Sequence, residues 1–233
     1  YVHTCEYLLP KVREMVKEKG FLPQDAEQRD QSWLDTYGMV QTIMADFPEF
    51  LPNTYDQYYL YPDYKVSHLD PNFTRADEVM AGREKRVFTE CEEIIKEGKL
   101  GDKFHAISDA HAEMMIKVAE AIAYNKNDRH ILIVENNGAI ANMQDDAMVE
   151  VVCELGINGP CPTRVGNLPQ FNLGLLVNQV SCEKLIVDAY FENSYQKALE
   201  AFTLNRLIND AKKARKVLDA LIEANKGMWP ELR

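Results

Sequence analysis

Two short segments of the sequence carry side chains whose types could support chemistry. In the first, five of the eleven tyrosines fall within ten positions (Tyr55, Tyr58, Tyr59, Tyr61 and Tyr64). A tyrosine acts as a general base only where a metal, a cation or a developing charge lowers its pKa from about 10. Clustered tyrosines serve more often as packing or interface residues. Residue types alone therefore leave a catalytic and a packing interpretation open.

The second segment is Thr74-Arg75, which precedes a long helical pattern. Thr74 and Asp77 form a variant of the capping box, so the sequence predicts that a helix begins here. The free backbone amides of a helix start attract anions, and the planar guanidinium of Arg75 matches phosphate oxygens. The alternative is an exposed arginine that pairs with Asp77 or Glu78, and the spacing alone favours that alternative.

Other common catalytic patterns do not occur in the sequence. The five histidines include no pair spaced by four residues, and His105 and His111, which flank Asp109, would lie on different helix faces. The sequence therefore predicts no self-contained metal site. It also contains no Walker or Rossmann glycine loop and no Gly-x-Ser-x-Gly elbow. Its cysteines are odd in number and widely spaced, which favours reduced thiols in a cytoplasmic protein. They are Cys5, Cys91, Cys153, Cys161 and Cys182.

The overall composition narrows the classes of partner. The chain has 233 residues, 46% of them hydrophobic, and 26 basic against 37 acidic residues give a net charge of −11. This mix is typical of a folded protein, and so acidic a chain argues against nucleic acids and anionic membranes as partners. The longest uncharged stretch, residues 165–182, contains six Asn, Gln or Pro residues, so we predict no membrane span. Tyr1–Glu6 lacks the basic and apolar parts of a signal peptide.

The elements that would position these residues are mostly helical. Apolar residues at helical spacing, with Gly20 and Gly98 as stop signals, predict seven helices in a single α+β domain over residues 1–233. Pro52 and Pro62 bracket the tyrosine segment, so residues 51–64 are interpreted as a loop or irregular strand. The apolar helix at 108–125 is expected to be buried on most of its surface. The predicted helices span 6–19, 25–46, 74–98, 108–125, 170–192, 194–204 and a segment from Asp210, and the predicted strands span 131–134 and 148–153.

Five groups of motifs stand out, namely Leu51–Pro62, Asp70–Glu84, Ile133–Asn142, Asn158–Pro160 with Val165–Gln170, and Glu223–Glu231. These motifs resemble glycoside hydrolase family 4 and, within it, the 6-phospho-α-glucosidases. They cover almost the whole chain and are highly specific as a set. The resemblance implies a helix-rich α+β domain similar to the C-terminal domain of lactate and malate dehydrogenases.

The resemblance implies an unusual glycoside hydrolysis that uses NAD⁺ and a divalent metal, usually Mn²⁺. In the family mechanism, hydride leaves C3 of the sugar to NAD⁺, a tyrosine removes the C2 proton, the aglycone leaves C1, and water adds before the steps reverse. The motif positions assign the base to Tyr55 and the contact with the sugar phosphate to Arg75. The implied substrate is a phosphorylated disaccharide such as maltose 6-phosphate, and the implied assembly is a homo-oligomer (dimer or tetramer).

The chain departs from the family pattern at its beginning. The N-terminal Rossmann domain of the family, its cysteine metal ligand and its histidine ligand in an Asn-His-Phe-Gly stretch have no counterpart in this sequence. The chain therefore looks like the C-terminal half of such an enzyme, with the NAD and Mn²⁺ sites mainly in the other half. Three alternatives stay open: an enzyme half that is inactive alone, a silent folded fragment, and an oligomerisation module. The first is favoured.

Overall fold

The structure is a computed structural model that describes residues 8–19, 31–99, 110–208 and 210–233 of the chain. Helices dominate these described residues. Nine helices and three strands occur in these ranges, which confirms a helix-rich α+β fold. The predicted beginnings of the first two helices, at residues 6 and 25, lie outside the described residues. The elements are α1 (Leu9–Lys19), α2 (Gln31–Asp46), α3 (Asp56–Leu60), α4 (Pro62–Ser67), α5 (Arg75–Glu97), α6 (Ala110–Ala123), β1 (Asp128–Glu135), β2 (Met148–Gly156), β3 (Gly159–Pro162), α7 (Gln170–Glu192), α8 (Tyr195–Leu204) and α9 (Ala211–Ala224).

Helix α5 begins and ends where the sequence predicts. The Thr74 hydroxyl accepts a hydrogen bond from the Asp77 backbone N–H, and the Asp77 carboxylate accepts one from the Thr74 backbone N–H at 2.8 Å. Hydrogen bonds from the Thr74 hydroxyl and then from its N–H hold the pKa of Asp77 below its usual value. At the other end, Gly98 has φ +66° and its N–H donates to the Ile94 carbonyl at 2.8 Å. The helix start that carries Arg75 is thus defined by its own sequence.

The tyrosine segment is helical, and the expectation of a loop or irregular strand over residues 51–64 is wrong. Helix α3 lies entirely within this segment, and α4 begins in it at Pro62. Pro62 does not prevent a helix, because it occupies the first turn of α4, where its missing N–H would have no helical partner. Tyr55 consequently lies at the beginning of a helix.

The three strands form one antiparallel sheet in the order β1-β2-β3. Both predicted strands occur, and each is longer than predicted. The register pairs His130 with Cys153 between β1 and β2, and Gly156 with Gly159 at the turn into β3. β3 contains Pro160 and Pro162 and carries no strand signal in the sequence, because proline is depleted in strands.

One face of the sheet supplies a hydrophobic core. Alternate residues of β2, including Val149, Val151 and Cys153, are buried, as the two-residue period of a strand requires. They cluster with Ile140 from the loop between β1 and β2 and with Val180 from α7. The sheet, this loop and the beginning of the C-terminal helices therefore share one core.

Asn136 organises the loop between β1 and β2 from inside this core. Its side chain is fully buried. The amide oxygen accepts from the Ile140 N–H at 2.7 Å, and the amide nitrogen donates to the carbonyls of Ile140, Met143 and Gln144 at 3.0 to 3.2 Å. The Ile140 N–H and the Met143 carbonyl thus find a partner inside the core, and the carbonyls of Ile140 and Gln144, which also accept from the Met143 and Ala147 N–H groups, gain a second donor.

We expect Asn136→Ala to lower the free energy of unfolding of the chain by about 3 kcal/mol, because the buried Ile140 N–H and the Met143 carbonyl lose their partner. Urea unfolding followed by circular dichroism measures this difference. The control is Gln144→Ala, which removes an exposed side chain from the same loop and should change stability by less than about 0.5 kcal/mol. Equal midpoints for the two variants would contradict the role of Asn136.

Helix α6 is exposed, and the expectation that it is buried on most of its surface is wrong. Ala121 is fully buried, whereas Met115 and Ile116 are 69% and 62% exposed. An apolar sequence on all faces predicts burial, but burial also requires a neighbour, and the sequence of a helix does not specify its neighbour. Among the described helices, α6 included, we find none with both the length and the apolar character needed to cross a bilayer.

The last three helices pack against one another. Asn193, with φ +56°, ends α7 in the left-handed conformation and leads directly into α8. Ala189, Ala198 and Leu218, one from each helix, form a buried cluster. The Asp210 carboxylate accepts from the Lys213 N–H at 2.8 Å, so α9 begins at its predicted residue.

Candidate active site

Tyr55 stands immediately before α3, at its N-cap position. The Asn53 side chain accepts from the Tyr55 N–H at 2.9 Å, and the Asp56 carboxylate accepts from the Asn53 N–H at 2.7 Å. These two bonds form the turn that leads into α3. The Tyr55 side chain is 68% exposed, and its ring centroid lies 6.3 Å from that of Tyr58. Its phenol can therefore be reached by a bound molecule.

Two other side chains of the tyrosine segment fasten it to α2. Gln57 is 2% exposed, and its amide nitrogen donates to the Thr54 carbonyl at 2.7 Å and approaches the Thr36 hydroxyl at 3.5 Å. The Tyr61 hydroxyl donates to the Asp46 carboxylate at 2.5 Å. Burial, and then this hydrogen bond to a carboxylate, raise the pKa of Tyr61 to about 12. With this raised pKa the Tyr61 hydroxyl keeps its proton near neutral pH, and we assign it a structural role.

Arg75 occupies the first turn of α5, beside the capping box. Its side chain is 63% exposed, and its Nη1 lies 2.5 Å from Glu78 Oε2. This ion pair is the local contact that the spacing of the two residues predicts. An exposed pair of this kind contributes little to stability and can exchange with another anion. Tyr55 precedes α3 and Arg75 begins α5, and each has its own local partners.

A contact that the sequence does not reveal links the tyrosine segment to the C-terminal helices. Arg206 lies in the turn between α8 and α9, is half-buried, and donates from Nε to the Tyr59 carbonyl at 2.8 Å. The two residues are 147 positions apart. The only local signal is an arginine among the apolar neighbours Leu204, Leu207 and Ile208, which is too weak to identify its partner.

The histidines do not come together in the described part of the chain. His68 stacks on Tyr64 at 4.1 Å, His111 is exposed on α6, and His130 is in β1. His3, His105 and Asp109 lie outside the described residues. Within residues 8–19, 31–99, 110–208 and 210–233, no three His, Cys, Asp or Glu side chains are placed to hold a metal ion. These residues by themselves do not provide the donor set of a manganese site.

The sequence matches a known family over most of its length. Residues 2–208 match the family described as "Family 4 glycosyl hydrolase C-terminal domain". The chain therefore belongs to glycoside hydrolase family 4, as its motifs predict.

Relatives that are 43–48% identical to this chain include maltose-6'-phosphate glucosidases and 6-phospho-α-glucosidases, and relatives at 28–31% identity include 6-phospho-β-glucosidases. The maltose-6'-phosphate glucosidase of Bacillus subtilis (strain 168) is 48% identical over 226 residues, which are 97% of this chain and 50% of that protein. A crystal structure of a 6-phospho-α-glucosidase from gut microorganisms, in complex with NAD and Mn²⁺, superposes with a TM-score of 0.91 at 78% sequence identity. The match covers 99% of this chain and 52% of the chain in that crystal structure. A second such structure, with NAD and glucose 6-phosphate, is 43% identical with a TM-score of 0.88 over 97% of this chain and 52% of its own. The chain spans about half the length of the curated relatives it matches.

Proposed function

We propose that this chain is the half of a 6-phospho-α-glucosidase that supplies the base and the phosphate contact. The substrates are 6-phospho-α-glucosides such as maltose 6-phosphate. The observation that carries the proposal is the exposed Tyr55 phenol at the start of a helix that Gln57 connects to α2. A general base must be accessible to its substrate and carried by a positioned backbone, and the exposed Tyr55 phenol belongs to a turn that Asn53 and Asp56 hold by hydrogen bonds.

In this proposal the two residues act at different positions of the sugar. Tyr55 accepts the proton from C2 through its phenol oxygen, and Arg75 binds the 6-phosphate through its guanidinium. The beginning of α5 reinforces the attraction for the phosphate, because the aligned peptide dipoles place partial positive charge at the N-terminus of a helix. Phosphate binding would replace the Glu78 contact of Arg75, an exchange that costs little at an exposed position.

NAD and Mn²⁺ belong to the proposed enzyme because similar structures contain them. When bound, they supply the redox chemistry and a Lewis acid. We assign neither to the described residues, which lack the donor set for the metal. We propose that the residues that bind NAD and Mn²⁺ lie mainly in the other half of the enzyme, which this chain does not cover.

A second role, assembly with further copies of the chain, has its own support. Met80, Phe88 and Ile95 project from α5 and are 60%, 61% and 82% exposed. Residues 75–86 of this helix carry four basic and three acidic side chains, whereas residues 87–97 carry one basic and four acidic side chains. The first part of α5 is therefore slightly positive and the second part negative, so two antiparallel α5 helices would bring opposite charges together. We therefore propose a homo-oligomer, which sedimentation equilibrium tests.

The free cysteines Cys91, Cys153, Cys161 and Cys182 fit the proposed cytoplasmic location.

The isolated chain is expected not to hydrolyse 4-nitrophenyl 6-phospho-α-glucoside, even with NAD⁺ and Mn²⁺. The reaction requires a dinucleotide held against C3, and the sequence has no Rossmann loop to hold it. Joining the chain to the N-terminal half of the Bacillus subtilis relative should give an active protein, which we call the complete enzyme. Release of 4-nitrophenol measures both. An inactive complete enzyme would sink the proposed function, and turnover by a preparation whose intact mass matches residues 1–233 would refute the need for a second half.

A further inference from the structure

Helix α3, which carries Tyr55 at its start, is too short to hold its own position. It has five residues, far fewer than the roughly 12–15 at which an isolated helix becomes marginally stable. The place of the Tyr55 phenol therefore depends on contacts between α3 and its surroundings. The contacts of Gln57 and Tyr61 described above connect the segment to α2.

The contact with Arg206 connects α3 to a different part of the fold. The Tyr59 carbonyl belongs to the last turn of α3, where carbonyls have no donor within the helix. Nε of Arg206 satisfies it at 2.8 Å, and a hydrogen bond from a charged donor is stronger than one between neutral groups. A half-buried guanidinium is also less screened by water than an exposed one.

The turn that presents Arg206 is itself held in place. The Asn205 side chain accepts from the Leu207 N–H at 3.0 Å, and the Asn178 side chain of α7 donates to the Leu204 carbonyl at 3.2 Å. Because α7 and α8 also share a buried cluster, Arg206 projects from a fixed base. Its bond to Tyr59 therefore transmits the position of the C-terminal helices to α3.

We propose that Arg206 is a positioning residue for Tyr55, acting through the Tyr59 carbonyl. The inference rests on the proposed role of Tyr55 as the base. Displacing a catalytic group by about 1 Å can reduce turnover on the order of 10²-fold. Arg75 lies beyond α4 on a separate helix with its own capping box, so its phosphate contact does not depend on Arg206. Loss of Arg206 therefore affects proton removal and spares substrate binding.

The test compares Arg206→Met and Arg206→Lys in the complete enzyme. For Arg206→Met we expect kcat to fall roughly 10- to 100-fold with KM changed less than about threefold. The primary isotope effect with substrate deuterated at C2 should increase, because proton removal becomes slower relative to the other steps. Arg206→Lys keeps a charged donor and should restore part of kcat. The matched control is Arg215→Met, which removes an equal charge from α9, where Arg215 lies over the Tyr195 ring at 5.7 Å, and should leave kcat and the isotope effect unchanged.

Three results overturn the inference: a kcat for Arg206→Met within twofold of wild type, a loss of kcat with an unchanged isotope effect, or an equal effect of Arg215→Met. If Arg206→Met does not fold, Arg206→Lys decides, since a normal kcat and isotope effect in that variant overturn the inference and a lowered kcat with a larger isotope effect supports it. Tyr55→Phe, measured in parallel, separates this inference from the proposed function. An inactive Tyr55→Phe with a normal Arg206→Met refutes only the positioning role.

Discussion

Tyr55→Phe in the complete enzyme is expected to lower kcat by about 10²- to 10⁴-fold, the usual effect of removing a general base. Phenylalanine keeps the ring, and with it the contact with Tyr58, but has no oxygen to accept the C2 proton. The Kd for glucose 6-phosphate should stay close to that of wild type, because the phosphate contact is assigned to Arg75. Steady-state kinetics and calorimetric titration measure the two quantities.

Tyr58→Phe provides the matched control for this variant. It removes a phenol oxygen three residues away, from the ring that neighbours Tyr55, and should retain nearly full activity. If Tyr55→Phe turns over as fast as wild type, or if both variants lose activity equally, Tyr55 is not the base.

Arg75→Ala is expected to raise KM for the phosphorylated substrate roughly 10- to 150-fold. This range corresponds to about 1.5–3 kcal/mol for a charged hydrogen bond to the phosphate. Lysine at this position should recover only part of the loss, because it keeps the charge but lacks the forked geometry of the guanidinium. The measurement is KM for 4-nitrophenyl 6-phospho-α-glucoside with the wild type, Arg75→Ala and Arg75→Lys forms of the complete enzyme.

The competing explanation for Arg75 makes a different prediction. If its contact with Glu78 were its only role, the substitution would change KM by less than the equivalent of about 1 kcal/mol. Arg86→Ala is the control, because it removes a second arginine from α5, eleven residues further along. An unchanged KM for Arg75→Ala, or an equal increase for Arg86→Ala, would remove Arg75 from the site.

The parts of the fold that the sequence predicts well are those determined by short-range interactions. The start of α5 depends on Thr74 and Asp77, and its end depends on Gly98, so a window of a few residues contains the necessary information. The same holds for the break between the helices predicted at 170–192 and 194–204, where Asn193 ends α7. Tyr55 and Arg75 were identified as candidates from the resemblance of their motifs, and their roles stay predictions.

What the sequence does not predict depends on distant residues. The helices α3 and α4 are held by partners such as Asp46 and Arg206, which no local pattern around the tyrosines indicates. The exposure of α6 depends on the absence of close neighbours around most of its described surface, which an apolar sequence cannot convey. Arg206 was missed as a candidate for the same reason, since its partner Tyr59 lies 147 positions away.

The two prolines of β3 affect the outer edge of the sheet. The Thr163 N–H donates to the Val152 carbonyl of β2 at 2.8 Å. Because N–H groups alternate in direction along a strand, positions 160 and 162 are those that would point away from β2, towards the outer edge. Both are prolines and have no N–H to offer there. The outer edge of β3 is therefore a poor template for an incoming strand, which protects the chain against edge-to-edge aggregation.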